Sequence, residues 1–384
     1  MKTLIMLEKF FTTISFLFIV SLAFSSCQPK DKFDWNAGLS GPKNYPSGAP
    51  FVEFFYKGKS IGGASSSTGA DQGWGITSGG YVGGDKYKEV PDSISVKWVC
   101  SVDNLVYKAG KSLPREKILN LFKEGIRDSH NKKNNYTVIV TGMAPGGNVT
   151  LWLQAGRIST EVFKFKTPKG MEDPNIDDDY KTKEFKYWGD YLTYWYLHGI
   201  PYKVWEVGEK EYNYDVGFAS EGDLIKPNII TFLSKDGSWY QPTLYNTEHS
   251  IEIENWANFI YLQNNNDIKK SKLPIQINAE WKFENKYYNT SIVLPIDFDK
   301  YFKKQEYDRI LICVDRNNIF GKICVEGKKG RSDIMNFKIF EAKEGDMTTY
   351  ISGGYSLPKG FVFPKWEGRI PISLPENFEY YQEP

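Results

Sequence analysis

Histidine is scarce in this chain, with only His130, His198 and His249 among 384 residues. None has a second histidine or a cysteine two to four positions away, so zinc motifs of that spacing are absent. The Gly-x-Ser-x-Gly elbow of the α/β-hydrolases is missing as well. The glycine-rich run Gly62-Gly63-Ala64-Ser65-Ser66-Ser67-Thr68-Gly69 lacks the lysine of a phosphate-binding loop and is not set between a buried strand and a helix. Asp177-Asp178-Asp179 has no glycine where a calcium loop needs one, and reads as a solvated charge run. Charge of one sign is lacking too: 48 basic residues against 47 acidic, interspersed, leave a net +1 and no basic footprint for nucleic acid. These absences set the expectation of a protein with no catalytic motif, no metal and no cofactor.

Long apolar runs are also missing. The stretch from Phe10 to Phe24 falls short of the ~20 residues that a membrane-spanning helix needs. With Lys2 and Lys9 flanking its start, it reads as a secretory leader. It runs through Ser25-Ser26 into Cys27, which resembles the lipobox of bacterial lipoproteins. That resemblance implies cleavage before Cys27 and a lipid on its thiol, so that acyl chains supply the membrane affinity. The acidic run that resembles a surface-export signal is missing after Cys27, where Gln28-Pro29-Lys30-Asp31-Lys32 stands instead. We therefore expect an outer-membrane lipoprotein facing the periplasm.

Cysteine is sparse, at four residues. Cys313 and Cys324 bracket an expected hairpin with Asn317 and Asn318 near its tip; a turn of two or four residues sets them directly opposite. A disulfide there and two buried free thiols both fit the sequence. Cys100 alternates with Val96 and Trp98 and reads as a small core residue.

Aromatic residues, in contrast, make up 16% of the chain, which favours a β-rich fold because rings pack well on pleated surfaces. The chief pattern is a repeat. Pro91, Ile94, Val96, Trp98, Asn104, Tyr107, Leu113, Pro114, Gly147, Gly156, Arg157, Phe163 and Lys164 return as Pro274, Ile277, Ala279, Trp281, Asn285, Tyr288, Leu294, Pro295, Gly321, Gly330, Arg331, Phe337 and Lys338. The spacing changes only at two loops, so the pattern reads as an internal duplication. Ile94, Val96, Trp98 and Cys100 alternate with polar neighbours as a half-buried strand does, and Ile277, Ala279, Trp281 and Phe283 repeat the phase. Pro114 and Pro295 each suit the first turn of a helix and are followed by apolar residues three and four apart. Arg157 and Arg331 read as structural residues at matching hairpin turns.

The expected fold class is α+β and β-rich: two related antiparallel-sheet domains, each with a helix packed on the sheet. Residues 1–26 are the signal peptide, 27–166 the first repeat domain, 167–183 a linker, and 184–384 the second repeat domain, opened by an aromatic helix. In that helix Trp188, Leu192 and Trp195 form the core stripe, and Tyr187, Tyr191 and Tyr194 face away. Trp74, between Gly73 and Gly75, is the other ring expected to be exposed. Those four rings are the candidate partner-binding residues.

The lipobox, Gly73-Trp74-Gly75, the Val90-Pro91 to Trp98 strand, Tyr107 and the Leu113-Pro114 helix start resemble a bacterial lipoprotein family known only as domain of unknown function 2931. The likeness covers about residues 33 to 170 and extends more weakly, through the repeat, to the second half. Some members look like immunity lipoproteins that neutralise secreted lipase-type toxins. The family carries no established activity, and with no catalytic motif among the residues the expectation is a non-enzymatic, lipid-anchored binding protein, immunity-type or scaffold, whose partner is an unknown protein. The alternative is a carbohydrate-binding or carbohydrate-processing lipoprotein, which should show exposed aromatics and two carboxylates converging in a concave pocket.

Overall fold

The computed structural model describes residues 31–342 apart from 78–82, 129–130, 157, 177–179, 182, 184, 222–226, 242–258 and 263–270. The leader, Cys27, His130, Arg157, the Asp177–Asp179 run, His249 and the proline-rich tail lie outside the described residues.

Strand accounts for 53% of the structure and helix for 14%, which makes it β-rich. Eight strands build the first pair of sheets: β1 (Asn36–Ser40), β2 (Ser47–Tyr56), β3 (Lys59–Ser65), β4 (Ser93–Cys100), β5 (Leu105–Ser112), β6 (Val138–Ala144), β7 (Asn148–Ala155) and β8 (Ile158–Lys166). They lie in the orders β3-β2-β4-β5 and β8-β7-β6-β1, antiparallel except that β1 runs parallel to β6. Ten more follow: β9 (Asp215–Ser220), β10 (Pro227–Ser234), β11 (Trp239–Tyr240), β12 (Phe259–Leu262), β13 (Pro274–Phe283), β14 (Lys286–Val293), β15 (Tyr307–Val314), β16 (Phe320–Gly327), β17 (Gly330–Lys338) and β18 (Phe340–Ala342). Their orders are β11-β10-β13-β14-β18 and β12-β9-β15-β16-β17, with β9 parallel to β15. Without the edge strands β12 and β18, the second pair repeats the order and the one parallel pairing of the first.

The alternation read in the sequence sets the inward faces. Ile94, Val96, Trp98 and Cys100 are all buried, as are Ile277, Ala279 and Trp281. Trp98 lies directly across from Tyr107 and Trp281 from Tyr288, each pair stacked, with ring centroids 5.1 Å and 6.2 Å apart. Two of the repeated residues thus form the same cross-strand contact in each half. Trp281 Nε1 donates to Asn318 Oδ1 at 2.8 Å, whereas Trp98 Nε1 has no hydrogen-bond partner among the described residues.

The halves differ where two helices were expected. After Pro114, α1 (Arg115–Glu124) buries Ile118, Leu119 and Phe122 in the first core. After Pro295 there is only a 3₁₀ turn, Phe298–Tyr301. The cause is length. Between Pro114 and β6 the chain has room for α1 and a small hairpin, whereas between Pro295 and β15 it has half that span. A single 3₁₀ turn still buries Phe298, with Phe302 just beyond it.

Two further helices, α2 (Phe185–His198) and α3 (Tyr202–Val207), separate the sheet pairs. Gly199, left-handed at φ 67°, ends α2. The sequence reading attached this aromatic helix to the second half, but Leu192, Tyr194, Trp195 and Trp205 join the first core. They grip the loop after β1: Trp195 Nε1 donates to the Asn44 carbonyl at 2.6 Å, and Tyr45 Oη to the Gly199 carbonyl at 2.7 Å.

Candidate functional site

The turn between β10 and β11, Lys235-Asp236-Gly237-Ser238, projects from the second half into the first. The Gly237 carbonyl accepts the backbone N–H of both Lys43 and Trp74, at 2.9 Å each. Trp205 Nε1 donates to the Asp236 carbonyl at 2.8 Å, and Trp239 Nε1 to the carbonyl of Gln72. Glycine is required on both sides of this contact. Gly237 is left-handed at φ 78°, and a Cβ there would lie 2.6 Å from Pro42; a Cβ on Gly73 would lie 2.7 Å from the Trp239 ring. The glycine-rich segment thus seats the turn. A second bridge runs from His198 Nε2 to Gln276 Oε1, 2.9 Å apart, and burial holds that imidazole down to about 4, neutral at physiological pH.

Beside this junction opens a cleft of about 520 Å³. One wall is Trp74 to Ile76; a second is Trp152 and Gln154 on β7 with Ser159, Glu161 and Lys164 on β8; the third is Val204, Gly208, Glu209, Glu211, Asp236 and Lys272. Trp74 and Trp152 meet edge to face, 5.0 Å apart at 90°. Gly142 on β6 makes room for them, since a Cβ there would lie 2.6 Å from Trp152 and 2.7 Å from Trp74.

The acidic groups of the third wall are tightly held. Glu209 Oε2 accepts the Asp236 N–H at 3.0 Å and Oε1 the Lys235 N–H at 3.3 Å. Burial, reinforced by the neighbouring Asp236 charge, pushes the Glu209 carboxyl up to about 7. Asp236 Oδ1 accepts the N–H and Oγ–H of Ser238, at 2.9 and 2.6 Å, and Oδ2 pairs with Lys272 Nζ. Burial pulls the Lys272 ammonium down, but Asp236 and Glu209 outweigh it and hold Lys272 above its usual value. All four oxygens of this carboxylate pair are engaged in fixing the turn. The groups left to meet a ligand are the amide N–H of Gln154, whose Oε1 accepts from Thr77 Oγ1, the acceptor side of Ser159, whose Oγ donates to the Gly75 carbonyl at 3.3 Å, the Lys164–Glu161 ion pair at 2.9 Å, Glu211 and the uncovered edges of the two indoles. Among the described residues no group of three or more His, Cys, Asp or Glu side chains is placed to hold a metal ion, and no helix is long and apolar enough to cross a membrane.

The rings singled out in the sequence have separate fates. Trp74 is buried, 7% exposed, contrary to expectation: its flanking glycines serve a packed junction. Tyr187 is 66% exposed. Tyr191 is half-buried and donates to Asp71 Oδ2 at 2.9 Å. Tyr194 is wholly buried against Tyr45 and His198, because α2 is enclosed on more than its Trp stripe. No common aromatic patch results. Cys313 and Cys324 are buried thiols in adjoining strands, but not opposite each other, since Cys313 faces Lys322 and Cys324 faces Leu311. Glu209, Asp236, Lys272 and Trp152 were missed. The signal available for Asp236 was Asp-Gly between two apolar runs, a hairpin mark; nothing local marks the other three.

Residues 24–203 match the family model described as Protein of unknown function (DUF2931). No curated protein matches the chain. Among solved structures, a six-bladed β-propeller fungal lectin from Aleuria aurantia aligns at 9% identity over 86% of this chain and 98% of its own, with a TM-score of 0.13, too low to carry a structural argument.

Proposed function

From the match of residues 24–203 to the DUF2931 family model, a family of unknown function, we propose that the protein is a lipid-anchored cell-envelope binding protein. Its cleft between the two pairs of sheets takes a small carbohydrate, without turning it over. The observation that carries this reading is the cleft's lining: two indole edges at one end, and amide, hydroxyl, carboxylate and ammonium groups around the rest. A sugar presents the complementary surface, an apolar ring face fringed by hydroxyls that both donate and accept. Binding is favoured over carbohydrate cleavage because, of the four carboxylates lining the cleft, Glu209 and Asp236 spend their oxygens on backbone amides, Ser238 and Lys272, and Glu161 is paired with Lys164 at 2.9 Å, which leaves Glu211 and no second carboxylate to act with it as acid and base. A general acid or base needs an oxygen directed at its substrate. The protein-docking reading loses support from the inward turn of Trp74 and Tyr194. The repeated strand order supports an internal duplication, with each half a sheet-pair domain and a helix retained in the first.

Screening the full-length chain in detergent against an array of neutral oligosaccharides tests this. Retention of a defined set is expected, and Gln154→Ala and Glu161→Ala should each weaken it about tenfold, the loss of one hydrogen bond to a polar ligand. No glycan retained, together with recovery of a stoichiometric protein partner from envelope extract, would overturn the reading.

A further inference from the structure

Far from the cleft in sequence, β15, β16 and β17 bring a sulfur pair, a guanidinium and a carboxylate onto one face. Cys313 and Cys324 are diagonal neighbours with their sulfurs 3.9 Å apart, and both side chains are buried. Arg331 on β17 directs Nη2 at both, 2.8 Å from Cys313 Sγ and 3.3 Å from Cys324 Sγ. Asp333, opposite Cys324 in the ladder, accepts from its Sγ at 3.3 Å and is itself held by Lys322 at 2.9 Å. Arg331 is half-buried and Asp333 exposed, so these two side chains form the solvent side of the pair.

Cys100 provides the contrast within the same chain. It faces the first core among Val96, Trp98 and other apolar groups, and burial raises its thiol well above the usual value. A thiol so placed is inert. Around Cys313 and Cys324 the sequence supplies a cation instead, at hydrogen-bond distance from both sulfurs. The Cys313 thiol, hydrogen-bonded to Cys324 and desolvated, is raised; Cys324 is lowered by Cys313 and Arg331 against the opposing pull of burial and of the Asp333 carboxylate. The two sulfurs titrate as one unit; Cys324 donates to Asp333 while it is a thiol, and Arg331 favours the thiolate that forms when that proton leaves.

We propose that Cys313 and Cys324 form a redox-active dithiol, closed to a disulfide by a protein or small-molecule disulfide, with Arg331 stabilising the attacking thiolate. Cys324 Sγ attacks one sulfur of the oxidant, forming a mixed disulfide and expelling the first thiolate, which takes up a proton. Cys313 then loses its proton and attacks Cys324 Sγ, expelling the second thiolate. Two thiols give up two electrons and two protons, and the oxidant's disulfide becomes two thiols. Because the cysteines are diagonal and not opposed, bonding them shears the two strands, and a bond under such strain is easily reduced. The pair therefore cycles instead of remaining a permanent crosslink.

The test is thiol trapping on the reduced full-length chain in detergent, equilibrated in glutathione buffers of stepped oxidised-to-reduced ratio, alkylated and mapped by peptide mass. Cys313 and Cys324 should leave the alkylated pool together as an intramolecular crosslink and return together under mild thiol, while Cys100 stays unmodified throughout. Arg331→Gln should slow alkylation of Cys324 at neutral pH by about tenfold for each unit its pKa rises, and Arg331→Lys should restore most of the rate. Should Arg331→Gln unfold, the wild-type pH profile of Cys324 alkylation decides, with a midpoint below that of a free thiol expected. A stable glutathione adduct on one cysteine, or resistance of both to oxidation in the folded chain, would overturn the proposal.

Discussion

Replacing Glu209 by glutamine should flatten the dependence of stability on pH between about 5 and 8. Glu209 is held up to about 7 in the folded protein, first by burial and then by Asp236, whereas an unfolded glutamate titrates near 4.3. Between those values the native state binds the proton and the unfolded state does not. The group's contribution is thus complete below about pH 4 and is lost as pH rises through 7. At 1.36 kcal/mol per unit, the difference amounts to at most about 4 kcal/mol, reduced in practice because Lys272 shares the field of the same two carboxylates. Glutamine never ionises, so E209Q avoids this loss. It offers only one acceptor to the two amides of Lys235 and Asp236, however, at a cost of about 1 kcal/mol. Urea unfolding at pH 5 and pH 8 should show wild type losing about 2–3 kcal/mol on the alkaline side, and E209Q losing much less while falling slightly below wild type at pH 5. Parallel pH curves for the two proteins would mean that Glu209 is not the titrating group, and the account of the cleft's third wall would fail with it.

Three further outcomes follow from particular contacts. Trp281→Phe should cost about 1–2 kcal/mol more than Trp98→Phe in denaturant unfolding, because only the former strips Asn318 Oδ1 of its donor; equal losses would count against that hydrogen bond. Gly142→Ala should destabilise by about 1–3 kcal/mol and shift tryptophan fluorescence, since its Cβ enters the Trp74–Trp152 contact; an unperturbed spectrum would contradict the edge-to-face pair. Cys27→Ser should move the protein from the membrane to the soluble fraction of the cell envelope, and retention in the membrane would remove the lipid-anchor reading.

What the sequence disclosed was governed by distance along the chain. Strand phase is local, so Val96, Trp98, Ala279 and Trp281 could be assigned to inward faces from their alternation alone. The Trp–Tyr pairs were nearly as accessible, because each joins strands linked by a short turn. The second helix failed because periodicity records which residues face inward, not whether the chain between two strands is long enough for a full helix. Trp74 failed for a different reason: glycine on either side signals backbone freedom, but not that the freedom is spent on admitting another part of the molecule. Only the approach of Trp239 to Gly73 separates those meanings, and it spans more than 150 residues.

The repeat bears on where function resides. Positions shared by the two halves, such as Trp98 and Trp281, Tyr107 and Tyr288, or Leu113 and Leu294, are buried side chains that set sheet pairing and core. The cleft draws its first wall from the glycine-rich segment at Trp74 to Ile76 and part of its third from Val204, Gly208 and Glu209, next to the aromatic helix. Neither segment has a counterpart in the other half of the sequence. Arg331 sharpens the same contrast. Its position matches Arg157, yet the sulfurs it contacts are Cys313 and Cys324, and no cysteine follows Cys100 in the first half. Once a doubled scaffold meets its packing needs in shared positions, unshared residues are released from those needs: the cleft adds Trp74 to Ile76 and Glu209 to the shared Lys164, and the sulfur cluster adds Cys313 and Cys324 to the shared Arg331.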